Sequence, residues 1–210
     1  MTSLLHVDSS ASPIENSVSR QLTALYAERW PGRYVHRDLA RDPVPLIGPA
    51  YVTLGTRVER EGAGVLPADA GEEREWALTE PLIAELRAAD VVLLGVPMYN
   101  FGVPTSLKAW IDRISFPSAY DDAAGQSVLR DTTVIAVLTR GGAYGPGTPR
   151  AGCDFQEPYL RAHFGKLGVT DLRFVCAEMT RADDIPGLAE FREMKLKSLA
   201  AAREQLIAMR

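Results

Sequence analysis

The chain has 210 residues, 46% of them hydrophobic and 24% charged, which sits within the range of ordinary soluble globular proteins and excludes extensive disorder. Lys and Arg number 23 against 27 Asp and Glu, and the resulting charge of −4 argues against a nucleic-acid surface or a polybasic membrane patch. The longest apolar run, Val91 to Val96, is far short of the ~20 residues of a spanning helix, so no membrane partner is expected. Met1 to Asp8 has no basic region and little apolar length, so it does not read as a signal peptide. The expectation is one domain over residues 1–210 in the cytoplasm, with small molecules as partners. Cys153 and Cys176 lack a CxxC motif and read as free thiols without a role.

In chain order, Leu4 to Val7 is a short strand ending at the polar stretch from Asp8 to Pro13. Val18, Leu22, Leu25 and Tyr26 then recur at helical spacing, with Ser17 as N-cap and Pro31-Gly32 as the stop. Tyr34 to Leu39 alternates and is polar enough for an edge strand. A long connection follows, with a Pro-rich turn at Asp42 to Pro45 and helices near Tyr51 to Arg60 and from about Asp69 to Ala88. Val91 to Val96 is apolar without alternation, as a central parallel strand covered on both faces would be. Thr105 to Ile114 reads as a helix, Thr132 to Thr139 as a buried strand, Phe155 to Leu167 as a helix, Leu172 to Ala177 as a fifth strand and Gly187 to Met209 as a closing helix.

Strands alternating with helices indicate an α/β fold, and right-handed crossovers leave few topologies. The reading adopted is a flavodoxin-like doubly wound five-stranded parallel sheet, order 2-1-3-4-5, with helices on both faces. That order is taken from the fold type. In such sheets ligands sit outside the carboxyl ends of the strands, which directs attention to the segments after Val7, Val96 and Leu138.

The first segment, Ser9 to Ser19, holds five serines and leads into a helix N-terminus, where free N–H groups and the macrodipole favour an anion such as phosphate. Arg20 in the first helical turn has the wrong sign for the dipole unless an anion compensates. A serine-rich turn with an N-cap would look the same. The second segment, Pro97-Met98-Tyr99-Asn100-Phe101-Gly102, offers two aromatics and an amide to a flat heteroaromatic ring, or plugs the end of the sheet. The third, Thr139-Arg140-Gly141-Gly142-Ala143-Tyr144, allows close backbone approach to a ligand, or is an ordinary glycine-rich turn. The conjunction of the three is the signal.

These segments together resemble the FMN-dependent NADH azoreductases, relatives of flavodoxin-like quinone reductases, and the likeness runs over nearly the whole chain. It includes Asp38-Leu39-Ala40 with its following Pro-rich turn and Leu82-Ile83-Ala84-Glu85-Leu86 before the central strand. The resemblance implies that Ser10, Ser17, Val18 and Ser19 hold the FMN phosphate. It implies that Pro97, Met98, Tyr99, Asn100 and Phe101 lie along the ring and ribityl chain, and that Thr139, Arg140, Gly141 and Gly142 lie at the pyrimidine end. It further implies a homodimer, with Phe116 and Tyr120 in the loop to Gln126, and Tyr144, as walls of a substrate cavity. Two departures stand out: the first loop is one residue longer than usual, and Thr139 replaces a more usual serine.

The implied reaction is ping-pong. NADH gives a hydride to bound FMN, and an azo compound, cleaved to aromatic amines, or a quinone then takes two electrons. No catalytic side chain and no metal are expected. His6 reads as a satisfied buried histidine, and His36 and His163 have no partner motifs. The sequence lacks GxGxxG after a strand, GxxxxGK[ST], HExxH and GxSxG, and Asp8-Ser9 has no nucleophile loop to make a phosphatase. An alternative from another class is an FMN electron carrier that turns over no organic substrate.

Overall fold

The computed structural model describes residues 1–209. Five parallel strands form one sheet in the order 2-1-3-4-5: β1 Ser3–Asp8, β2 Arg33–Asp38, β3 Val91–Pro97, β4 Thr133–Thr139 and β5 Asp171–Ala177. The helices are α1 Val18–Ala27, α2 Pro49–Glu61, α3 Ala70–Arg87, α4 Thr105–Ile114, α5 Gln156–Lys166 and α6 Arg192–Ala208. The predicted closing helix is a 3-10 turn over Pro186–Phe191 before it becomes α6.

The central position of β3 explains its unbroken apolar run. Val92, Leu94 and Val96 pack towards α2 to α5, whereas Leu93 packs with Leu4, Leu22, Ile135 and Val175 towards α1 and α6. Both faces are therefore covered, as buried parallel sheets require. The β2 edge is half-buried to exposed along its length.

The register sets Asp8 beside Gly95. A Cβ at Gly95 would lie 2.5 Å from Asp8 Oδ1 and 3.2 Å from Thr23 Cγ2, so only glycine leaves the Asp8 carboxylate its place under α1. The long β2–β3 connection is stapled to α4 by Arg113, which has no exposed surface. Its Nε donates to Pro45 O at 2.7 Å and Nη2 to Leu46 O at 3.0 Å, while Nη1 donates to Glu75 Oε2 at 2.8 Å and Thr79 Oγ1 at 3.1 Å.

Candidate functional site

Parallel strands bring the loops after β1, β3 and β4 to one end of the sheet, and specific bonds join them there. The N–H of Ala11 donates to the Tyr99 hydroxyl at 3.1 Å, and Met98 N donates to Thr139 O at 2.8 Å. The Phe101 and Tyr144 rings meet edge-on with centroids 6.3 Å apart. Phe155, just before α5, closes the group by donating its N–H to Phe101 O at 3.1 Å.

In the first loop Ser17 caps α1, its hydroxyl accepting from Arg20 N and lying 3.2 Å from Ser19 Oγ. Ser10, Ser17 and Ser19 are buried and Val18 is half-buried. Among the described residues the N–H groups of Val18 and Ser19 donate to nothing, so the positive end of the helix is open to an anion. Arg20 does not point to that anion. Its guanidinium grips Asp38 at 2.6 and 2.8 Å, donates to Ser10 O at 2.7 Å and lies 3.6 Å from Asp8, which corrects the inference drawn from its sign.

The second loop is a tight reversal in which Tyr99 and Gly102 exchange backbone hydrogen bonds at 3.0 and 3.1 Å. Asn100 and Phe101 between them have φ of 49° and 70°, the left-handed pair that a type I′ turn needs. Glycine usually fills such positions, and a phenylalanine there is a strained choice of the kind found at ligand sites. Among the described residues the Asn100 and Phe101 N–H groups have no acceptors, and the turn holds both aromatic rings partly exposed, Tyr99 at 37% and Phe101 at 44%.

In the third loop Thr139 is buried at the end of β4, and the N–H groups of Gly141 and Gly142 are unused among the described residues. A Cβ on Gly141 would crowd Arg181 at 3.1 Å, and one on Gly142 would approach Arg150 and Tyr144. The Arg140 side chain is a correction. It is buried and turned inward, its Nη2 2.6 Å from Asp154 and its Nη1 3.1 Å from Glu178, with Gln156 beside it. Guanidinium groups are retained in such places for their planar, multiple donors, so Arg140 braces the loop. Asp154, Gln156 and Glu178 escaped the sequence reading; the one available signal was Asp154 ahead of a helix, where it accepts from Gln156 N and Glu157 N.

Phe116 and Tyr120 are also a correction. α4 runs back from the β3 loop, so its carboxyl end delivers them to the opposite end of the sheet. There Phe116 packs on Tyr51 and Trp76, and the neighbouring Ala119 O accepts from Arg87, which ends α3 before β3. Both are buried, and burial holds the Tyr120 phenol well above its ordinary pKa. A cavity of about 730 Å³ beside Phe116, lined also by Trp76, Leu54 and Ile83, lies at that end. Tyr144 stays with the three loops. Cys153 and Cys176 are free, and burial pushes the Cys176 thiol up to about 11, too high for a ready nucleophile.

A model of the flavodoxin-like fold matches residues 2–200. An FMN-dependent NADH:quinone oxidoreductase of Nocardia farcinica (strain IFM 10152) is 42% identical over 91% of this chain and 90% of its own length. The enzyme of the same name in Frankia casuarinae is 40% identical over 97% and 98% of the two chains. This chain belongs to the FMN-dependent NADH:quinone oxidoreductases. The fold of that family is seen in an azoreductase from Bacillus anthracis str. Sterne, with a TM-score of 0.81 at 22% identity over 100% of this chain and 98% of that one. An FMN-dependent NADH-azoreductase from Bacillus anthracis str. Ames Ancestor, solved with FMN, gives 0.77 at 17% identity over 100% and 99%. The open helix N-terminus, the exposed rings and the free N–H groups of the three loops are chemically suited to the phosphate, ring and polar ring edge of the cofactor named for this oxidoreductase family.

Proposed function

We propose that this chain is an FMN-dependent NADH:quinone oxidoreductase that also reduces azo compounds, acting as a cytoplasmic homodimer. The observation that carries the reading is the left-handed Asn100–Phe101 turn, set between an unfilled helix N-terminus and a glycine loop and presenting two free N–H groups beside two exposed rings. When bound, FMN supplies the redox chemistry, taking a hydride from NADH and passing two electrons to the acceptor.

The chain's own part is binding and electrostatics. Val18 and Ser19 would hold the phosphate through their N–H groups, with Ser10 and Ser17 shaping the loop. Pro97, Met98, Tyr99 and Phe101 would seat the ring, and the Asn100 amide would bond its polar edge. The N–H groups of Gly141 and Gly142, with the Thr139 hydroxyl, would stabilise negative charge at the pyrimidine end. Tyr144 would border the space where donor and acceptor take turns. The dimer reading is supported by exposed apolar surface next to this site, with Phe101 at 44% and Phe155 at 61%, which a second copy would cover.

The test is anaerobic. The protein is loaded with FMN, freed of excess, and treated with NADH and then a quinone or an azo dye while the flavin absorbance is followed. Bleaching by NADH and recovery with either acceptor is the expected result; retained flavin that NADH cannot bleach would indicate an electron carrier, and no retained flavin would overturn the reading. Light scattering during gel filtration checks the dimer.

A further inference from the structure

The flavin reading leaves a second polar cluster unused, on the α1 side of β1 and β2. His6 and Asp8 lie two apart on β1 and so share a face, and register sets His36 of β2 beside His6. His6 Nε2 is 3.3 Å from Asp8 Oδ1, and His36 Nε2 is 3.1 Å from Asp8 Oδ2. We propose that His6, Asp8 and His36 bind one divalent transition-metal ion of the zinc class.

The spacing supports this directly. Zn–N and Zn–O bonds of about 2.0–2.2 Å in a tetrahedron put neighbouring ligand atoms about 3.3 Å apart. His6 Nε2 and His36 Nε2 stand 3.3 and 3.1 Å from different oxygens of the Asp8 carboxylate, and one ligand atom from each of the three residues lies within 4.8 Å of the others, so a modest contraction onto one carboxylate oxygen completes the set. His36 is on the exposed edge strand, so the remaining closure falls on the side chain with most freedom. Two imidazoles with one carboxylate suit zinc, cobalt, nickel or copper and disfavour magnesium and calcium.

The second observation is how His6 is held. His6 is 3% exposed, and its buried Nε2 faces the Asp8 carboxylate, 3.3 Å away and off the line of a well-formed hydrogen bond. Its other nitrogen, Nδ1, lies 2.9 Å from the Tyr34 hydroxyl. A proton held on Nδ1 and donated to that phenol leaves the Nε2 lone pair directed towards Asp8, the arrangement that outer partners impose on metal-binding histidines. Thr23 Oγ1 donates to Asp8 Oδ1 at 3.0 Å and fixes the carboxylate from the other side.

The charges nearby permit a cation. Arg20 lies 3.6 Å from Asp8, but its closest carboxylate is Asp38, which it holds with two short bonds. The Asp8 charge is therefore shared between Arg20 and the histidines, and Glu28 adds a further acid beside Arg20 in the cleft in front of them. That cleft, about 270 Å³ and lined also by Ile14, Ala24 and Tyr34, leaves room for a water or small anion as the fourth ligand.

The test uses untagged, chelator-treated protein dialysed against limiting Zn²⁺, with bound metal counted by elemental analysis and Co²⁺ used as a spectroscopic probe. One zinc per chain and a visible Co²⁺ absorption band of a low-coordinate nitrogen and oxygen site are expected. His36→Ala, at an exposed position, should keep the wild-type circular dichroism and lower zinc affinity about a hundredfold; Asp8→Asn should abolish binding while leaving a folded spectrum. Substoichiometric zinc in the wild type, or His36→Ala binding zinc as the wild type does, would overturn the proposal. Neither readout involves the flavin, so failure here is distinct from failure of the oxidoreductase reading.

Discussion

The hydroxyl of Tyr99 accepts a hydrogen bond from the backbone N–H of Ala11 at 3.1 Å, so the loop after β3 is closed onto the loop after β1 by one side chain. The two loops that would hold opposite parts of a flat cofactor are thereby fixed relative to one another before anything binds. Preorganisation of this kind lowers the ordering cost of binding.

The turn beside Tyr99 gives the first prediction. Asn100→Ala removes the side-chain amide and places an alanine at φ 49°, a conformation that costs an ordinary L-residue about 1–2 kcal/mol. FMN affinity, measured by fluorescence quenching, should fall about tenfold or more, and Asn100→Gly, which relieves the backbone, should recover part of it. Tyr144→Ala should weaken FMN less than Asn100→Ala; equal dissociation constants would contradict the placement of this turn against the cofactor.

Arg140 should behave as a brace. Removing it leaves the half-buried Asp154 and Glu178 without their cation and with backbone N–H donors alone, which costs about 1–3 kcal/mol. Arg140→Ala should therefore lower the melting temperature of the cofactor-free protein as much as that of the loaded one. A loss confined to the loaded form would mean that the side chain reaches the ligand.

For Phe116 and Tyr120 the expectation is separation of stability from turnover. Phe116→Ala should destabilise by about 3–5 kcal/mol through the cavity it opens, with KM for quinone unchanged at a temperature where the variant is folded. Among the described residues the buried Tyr120 hydroxyl has no hydrogen-bond partner, so Tyr120→Phe should leave the melting temperature equal or higher. A raised KM in Tyr120→Phe would restore it to the substrate site.

Burial lowers the pKa of His163 to about 4, below the ordinary histidine value of 6.5. The unfolded chain then binds a proton across that interval and the folded one does not, so stability is lost as pH falls from about 6.5 to 4. Between pH 7 and pH 5 this single group accounts for about 2 kcal/mol. Urea unfolding at the two pH values should show the loss, and His163→Gln should reduce it; an unchanged slope would refute the assignment.

Local patterns carried most of the fold. The Val91 to Val96 run announced a strand covered on both sides, Ser17 and Asp69 stood where helices α1 and α3 begin, and Thr105 to Ile114 matched α4 residue for residue. The three loops were legible because strand ends are sequence-local. What failed depended on tertiary pairing. Nothing near Arg20 in sequence indicates that Asp38 will neutralise it, and nothing near Arg140 indicates Glu178. The direction of α4 carried Phe116 away from the loops, and His36 met Asp8 only through strand register.

Arg113 has a consequence for how the molecule unfolds. Its four bonds cross from α4 to the β2–β3 connection, so that connection cannot peel from the sheet without exposing a buried guanidinium and several carbonyls at once. Amide protons of α2 and α3 would then exchange with solvent at the same free energy as those of β3, and a protease would find no early nick between them. An excursion that appears separable along the chain is thermally part of the centre.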